Sequence, residues 1–509
     1  MTKPTDLRAI VFDIGDTLVH AAAPGTPVAE LRAEPIGDAV HELRALASRY
    51  RIGAVTDTTV MTSSDVRTAL DGTGLAELLE VIVTSVDIGA AKPSPRGLRR
   101  ALDLLGVTPE QTLFVGDADC DEAAATAADI HFARAGAGRS PGDAVRAFID
   151  ARSGALAAAI ALVGPLDAEA EAAARDHHDR LTKPPGSLGR LEALGIRLAA
   201  IAGAHPPPRP APAAIAVFAG DHGVGEERVT AWPQEVTGQM VANFVAGGAA
   251  INVLARQHGA SVTVVDVGVA TDLAGLVPLD APHLLRRNVR RGTANLAVGP
   301  AMTLGEAQTA LDVGATVAVD LVAAGAAVLV TGDMGIGNTT PAAALIAAFT
   351  GRSPAEVTGR GAGIDDRAMA AKVAVIEGAL ERLGGEREPL TVLAEIGGLE
   401  IAALAGFIIG GASHRVPVLI DGVVADAALL VATQLCPEAI AFTVAGHRST
   451  EPGATAVLDH LGLEPVLDLG LRLGEGSGAA LALPVLDSAA LILQQMATFD
   501  GAGVAAKHR

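Results

Sequence analysis

Three observations predict an α/β fold in two domains. The chain has 509 residues, half of them hydrophobic, more than a single core normally organises. Short apolar runs of strand length recur with helix-length segments between them, each run ending in glycine, an acid or a small residue. One run, Ala326–Val330, leads into GDMGIGNTT at Gly332–Thr340 and then into helix-like Pro341–Ala348, which describes a strand, a loop and a helix start. Such alternation predicts a mainly parallel sheet with right-handed crossovers, and ligands beyond the carboxyl ends of its strands. The boundary is expected near Ser153, giving domains at residues 1–153 and 154–509, the second with a small helical subdomain.

Composition narrows the partners. A net charge of −20, with one Trp and one Tyr, argues against nucleic acid, which needs a basic surface or stacking rings. Cys120 and Cys436 are far apart with no C-x-x-C, so neither a disulfide framework nor a Cys-built zinc site is indicated. The N-terminal MTKPTDLRAIVFD lacks the long apolar stretch of a signal peptide, and Ile401–Ala412 is too short and glycine-rich to span a bilayer. A cytoplasmic protein with small-molecule partners, and no membrane, is expected.

In chain order, Ala9–Phe12 is an apolar run ending at Asp13, followed by IGDTLV. A carboxylate at the end of a first strand can act as nucleophile or hold Mg²⁺. Ile52–Val55 then ends at Thr56, Lys92 sits in AAKPSPRG, and Leu113–Val115 runs into GDADCDEAAA with Asp117 and Asp121. In this order the motifs resemble those of the haloacid dehalogenase-like hydrolases over roughly Leu7–Asp150. The resemblance implies a Rossmann-like domain in which Asp13 attacks a phosphate, Thr56 and Lys92 steady it, and Asp13, Asp117 and Asp121 hold Mg²⁺. Phosphatases of that family carry a second Asp two residues after the nucleophile, where this chain has Gly15. Two readings follow: a Mg²⁺-dependent phosphatase, or a degenerate domain kept for packing or docking.

Arg139–Pro165 reads as a terminal helix and a connection, and Asp167–Arg180 as a helix. LTKPPGSLGRLE enforces a turn, with Ser187 placed to cap the next helix, and Pro206–Pro212 forms a second rigid turn. Strands are then expected at Ala214–Phe218, Val262–Val265, Ala326–Val330, Leu390–Leu393, Val416–Ile420 and Ile440–Val444. Their polar ends, AGDHGVGEERV, DVGV, TGDMGIGNTT, EIGGLE, DGVV and AGHRSTEPG, should face one cleft.

Within that cleft, Gly335 and Gly337 allow a ligand close to the backbone, and the amides of Asn338, Thr339 and Thr340 would point at a phosphate. The spacing is neither that of the P-loop nor of the dinucleotide fingerprint. Asp221, His222, His414 and His447 form no H-x-x-x-H pair, so structural or substrate-contact roles are expected in place of metal ligation. GRGAGIDDRAMAAK supplies a second loop, with Gly361 and Gly363, and Lys372 two turns into its helix, either a cation for a phosphate or a solvated lysine. In LDLGLRLGEGSGAA, Glu475 lies between glycines and among Leu469, Leu471, Leu473 and Leu481. Desolvation there would raise its pKa and make it a general base; the alternative is an exposed loop acid.

TKPPGSLGRLE, AGDHGV, GDMGIGNTTPAAA, GRGAGIDD, EIGGLEIAALAGFIIGGA, DGVV, AGHRSTEPG and LGLRLGEGSGAALALP together resemble the nicotinate-nucleotide:dimethylbenzimidazole phosphoribosyltransferases, over nearly all of Pro165–Val504. The resemblance implies transfer of the phosphoribosyl group of nicotinate mononucleotide to 5,6-dimethylbenzimidazole, a step of cobalamin lower-ligand assembly, without a cofactor and in a homodimer whose partner completes part of the site. It places the general base at Glu475, phosphate contacts on the GNTT loop and Lys372, and a substrate contact at Asp333, where the family more often has Glu. Trp232, Met240 and Leu473 are candidates for the slot of the flat base. A nucleotide-binding or sensing module without turnover is the competing reading.

Overall fold

A computed structural model describes residues 7–20, 33–47, 50–136 and 139–505, so the first six residues of the N-terminal stretch discussed above and the last four of the chain lie outside the described residues. The chain divides into two compact units, Met1–Pro165 and Leu166–Arg509. The division falls later than Ser153 because Ala158 and Leu162, on helix Ala155–Leu162, share a core with Ile10 and Phe12.

In the first unit, β1 (Ala9–Phe12), β2 (Arg51–Thr56), β3 (Val81–Thr84), β4 (Thr112–Gly116) and β5 (His131–Arg134) form one sheet in the order β3-β2-β1-β4-β5. Every pairing is parallel. Strand order reverses between β1 and β4, the kind of switch point where parallel sheets bind ligands. β1 is wholly buried, as expected of a central strand covered on both faces.

The second unit carries β6 (Ala213–Gly220), β7 (Ser261–Gly268), β8 (Leu284–Arg286), β9 (Val328–Met334), β10 (Val418–Ile420) and β11 (Thr443–Ala445), ordered β11-β10-β9-β6-β7-β8 and parallel throughout. Its switch point lies between β6 and β9. Helices Ala168–Arg180, Arg190–Ala202 and Ser477–Gln495 meet through Ala174, Ala199 and Leu493, which form a small cluster of their own beside the main core. Ser477–Gln495 is long and apolar enough to cross a bilayer, but 56% of its most apolar window is buried inside this unit.

Three local expectations are corrected. Leu390–Leu393 is not a strand but part of helix Pro389–Ile396: Pro389 opens the helix and the Glu388 carboxylate accepts from the amides of Leu390 and Thr391. Ile440 lies in a 3₁₀ turn, Pro437–Phe442, and the last strand starts only at Thr443. Ser187 does not cap helix Arg190–Ala202, whose N-cap is Gly189; the Leu188 amide donates instead to Glu192, which also pairs with Lys183.

Helix Leu399–Ser413 is buried along its whole length, which explains its lack of a polar face. It packs on Leu304–Ala323 at backbone distance: a Cβ added to Gly314 would lie 1.7 Å from the carbonyl oxygen of Ala403. Gly314→Val must therefore push the two helices apart, and overpacking of this kind costs about 1–3 kcal/mol. The variant is expected to melt at a lower temperature than the parent; an unchanged melting temperature would contradict this contact.

Candidate active site

In the first unit, Asp13 follows β1 and its amide donates to the Val115 carbonyl of β4, which fixes it at the switch point. Lys92 Nζ lies 2.5 Å from Asp13 Oδ1 and 2.5 Å from Asp121 Oδ1. Asp13, Asp117 and Asp121 each present a ligand atom, all within 4.8 Å of one another, and Thr17 Oγ1 donates to Asp117 at 3.0 Å. Hard carboxylate oxygens so spaced fit Mg²⁺, and they are the only such group among the described residues. Burial, offset by Lys92, pushes Asp13 up to about 7. Thr56 is buried at the end of β2, and the neighbouring Asp57 accepts from the Lys92 amide. At Gly15 an added Cβ would meet nothing within 4 Å, so the space of the missing acid is open. Asp16 does not fill it from a regular backbone, being exposed and left-handed at φ 55°.

In the second unit, the ends of β9, β10 and β11 and the turn at Arg472–Glu475 enclose a cavity of about 530 Å³. Asp333, Gly335, Asn338 and Thr339 from the first glycine loop, Gly361 from the second, and Trp232, Met240, Leu473 and Glu475 all line it. Gly337 and Thr340 do not, and Thr340 is fully buried. Gly363 lines a neighbouring cavity of about 420 Å³ that shares Gly361, Glu451 and Arg472 with the first.

The first loop differs from expectation in one respect. The amides of Asn338 and Thr340 donate to the carbonyls of Gly335 and Gly337, closing tight turns, and so are not aimed at a ligand. Lys372 lies against this loop. It is 1% exposed, which overturns the surface reading, and its Nζ donates to Thr339 Oγ1 at 2.8 Å and to the Gly359 carbonyl at 3.1 Å. It thus ties both glycine loops together. Burial brings its pKa down to about 8, with Glu451 acting in the other direction.

Glu475 is buried, with Oε2 unpartnered, and burial raises its pKa above 4.5. The shielding does not come from the neighbouring leucines as expected, since Leu469 and Leu473 are 59% and 58% exposed. The turn itself lies close against β9: a Cβ on Gly332 would stand 2.7 Å from the Glu475 carbonyl oxygen, and one on Gly474 would stand 3.2 Å from Asp333 Oδ1. Asp333 is pushed up to about 8, first by burial and then by the charges of Asp421 and Glu400, while Asn338 Nδ2 donates to its Oδ2 at 2.9 Å.

Of the residues expected to play structural or substrate-contact roles in place of metal ligation, Asp221 accepts from the Ala270 amide. His222 Nε2 meets Glu400 Oε1 at 2.8 Å in full burial, and His414 Nδ1 meets Ser413 Oγ. His447 lines the cavity. The sequence reading missed Arg472, Ser449 and Glu451 as lining residues, although AGHRSTEPG and LGLRLGEG contain them. Arg472 donates to the Gly361 carbonyl at 2.8 Å, a contact across 111 positions that no local pattern announces.

Residues 163–504 match a family model described as phosphoribosyltransferase, and residues 29–135 one described as haloacid dehalogenase-like hydrolase. The chain is 58% identical over 357 residues to the nicotinate-nucleotide–dimethylbenzimidazole phosphoribosyltransferase of Salinispora tropica, covering 68% of this chain and 98% of that protein. Identity to the protein of the same name from Chloroflexus aggregans is 54%, over 68% and 96% of the two chains. Among solved structures, the nicotinate-nucleotide–dimethylbenzimidazole phosphoribosyltransferase of Thermus thermophilus is 48% identical, with a TM-score of 0.64 over 67% of this chain and all of that one. The chain belongs to the nicotinate-nucleotide–dimethylbenzimidazole phosphoribosyltransferase family and carries a haloacid dehalogenase-like domain ahead of it.

Proposed function

We propose that the second unit transfers the phosphoribosyl group of nicotinate mononucleotide to 5,6-dimethylbenzimidazole, giving α-ribazole 5′-phosphate and nicotinate. The observation that carries this reading is the buried carboxylate of Glu475, its Oε2 without a partner, on the wall of the same cavity as the two glycine loops. One ring nitrogen of the benzimidazole attacks C1′ of the ribose as nicotinate leaves with its bonding pair. Glu475 takes the proton from the other nitrogen, so the attacking one gains electron density as the bond forms. Attack from the face opposite the leaving group turns a β-nucleotide into an α-riboside. Thr339 and Gly361, braced by Lys372 and Arg472, receive the phosphate, and Trp232, Met240 and Leu473 flank the flat base. Asp333, whose carboxyl burial pushes up to about 8, lines the same wall and offers the substrate a contact.

Trp232 and Leu473 are 52% and 58% exposed at this cavity, and a second copy covering that apolar rim would make the working form a homodimer. Neither Cys120 nor Cys436 is held in a disulfide, in keeping with a cytoplasmic site of action.

For the first unit we propose a Mg²⁺-dependent phosphatase acting on that product. The buried contact of Lys92 with Asp13 and Asp121 supports it. When bound, Mg²⁺ would neutralise phosphoryl oxygens. Asp13 supplies the nucleophile, Lys92 balances its charge, and Asp117 and Asp121 complete the ligand set.

Glu475→Gln is expected to lower turnover by about 10²–10⁴-fold while nicotinate mononucleotide still binds. Full turnover would remove Glu475 from the mechanism and favour the non-catalytic binding module. Because Glu475 is raised above 4.5, the parent should lose activity on acidification at a higher pH than an ordinary glutamate would dictate, read from a pH–rate profile. Given both substrates and Mg²⁺, the protein should release inorganic phosphate, and Asp13→Asn should stop that release while nicotinate formation continues. Absence of phosphate under all conditions would leave the first unit in its degenerate, docking role.

A further inference from the structure

Glu475 stands on a turn that cannot hold itself. Its backbone is left-handed, φ 62°, a region that non-glycine residues avoid, and Gly476 follows at φ 89°. Helix Ser477–Gln495 begins there without a side-chain cap of its own, leaving its first amides in need of acceptors. Those acceptors come from another strand. Asp421, the residue after β10, is completely buried; its Oδ2 accepts from the Gly476 amide at 3.2 Å and its Oδ1 from the Ala479 amide at 2.9 Å. Asp421 is itself fixed, since its amide donates to Thr331 Oγ1, which donates onward to the Leu419 carbonyl.

We propose that Asp421 is the positioning residue of Glu475, its carboxylate bridging the two amides that follow the left-handed turn and so fixing where the Glu475 carboxylate points. The proposal rests on Glu475 being the general base. Both carboxylate oxygens are engaged by the turn, so a neutral amide in that place can accept only one of the two bonds. Charge is the second effect. Asp421 adds to the burial that raises Glu475, and the Ile251 amide opposes it. The other titratable groups around this corner are Asp333 near the end of β9, His447 at 3.5 Å from Asp421 after β11, and Glu400 and Asp426 on the helices behind. Removing the Asp421 charge therefore lets Glu475 ionise at lower pH.

The test is a double-mutant cycle in the full-length protein, with nicotinate formation as the readout. Asp421→Asn should lower kcat by about 10- to 100-fold, as expected when a reacting group is displaced by about an ångström. KM for nicotinate mononucleotide should stay within about threefold, and the acid limb of the kcat profile should move to lower pH. In the Glu475→Gln background the same change should alter the residual rate by less than about twofold, because the residue it positions is already disabled. Unchanged kcat for Asp421→Asn, or an equal loss in both backgrounds, overturns the proposal. If Asp421→Asn does not fold, Asp421→Ser, which keeps an acceptor and removes the charge, goes through the same cycle; failure of both to fold makes the carboxylate a structural requirement and equally overturns it. Full turnover by Glu475→Gln alone would mark failure of the general-base reading, whatever Asp421 does.

Discussion

The carbonyl of Glu475 lies against Gly332 so closely that a Cβ at 332 would come within 2.7 Å of it. Any side chain there would lift the late turn off the end of β9. The rest of the second unit is arranged around this contact. β9 must be central, since it pairs with both β6 and β10. Helix Ser477–Gln495 must start where Asp421 can take its amides. A sheet that is parallel throughout brings the required ends to one edge, because successive strands all finish on the same side.

The cavity that results is electrically divided. Glu475, Asp333, Asp421 and Glu400 crowd the corner at the ends of β9 and β10, and burial, with the neighbouring carboxylates adding to it, pushes Asp333 up to about 8. Lys372 and Arg472 sit at the two glycine loops. Under the proposed reaction, an anionic ester would be stabilised at one end and positive charge on a sugar at the other, the distribution that develops when a ribosyl bond to a cationic base breaks. Buried charges act strongly here because little water screens them. The first unit also sets a buried lysine among carboxylates at a switch point: Lys92 meets Asp13 and Asp121, with Asp117 beside them.

The sequence made the alternation of strands and helices readable, and with it the parallel sheet, because apolar runs such as Ala214–Phe218 end in conspicuous polar clusters. Where a run was short, tertiary context decided. Leu390–Leu393 has strand-like composition, but a proline and an acid cap before it commit it to a helix. β8, only three residues long, left no signal of its own. Glu475 was legible from its glycines, but the reason for its burial was not, since Leu469 and Leu473 are exposed and its turn packs instead against β9. Lys372 was ambiguous until its distance to Thr339 fixed it. Asp421 and Arg472 act across 55 and 111 positions, and no periodicity carries such pairings.

Each parallel sheet carries a candidate site beyond its strand ends, one a cavity between two glycine loops and one a group of carboxylates beside a lysine. The account depends most on the first of them bringing base and nucleotide together for inversion at C1′. The direct measurement is the anomeric configuration of the product, by NMR, after incubation of the Asp13→Asn protein with nicotinate mononucleotide and 5,6-dimethylbenzimidazole. An α-configured ribazole 5′-phosphate with one nicotinate per product is the expected result. A β-configured product, or free ribose 5-phosphate in its place, would contradict it.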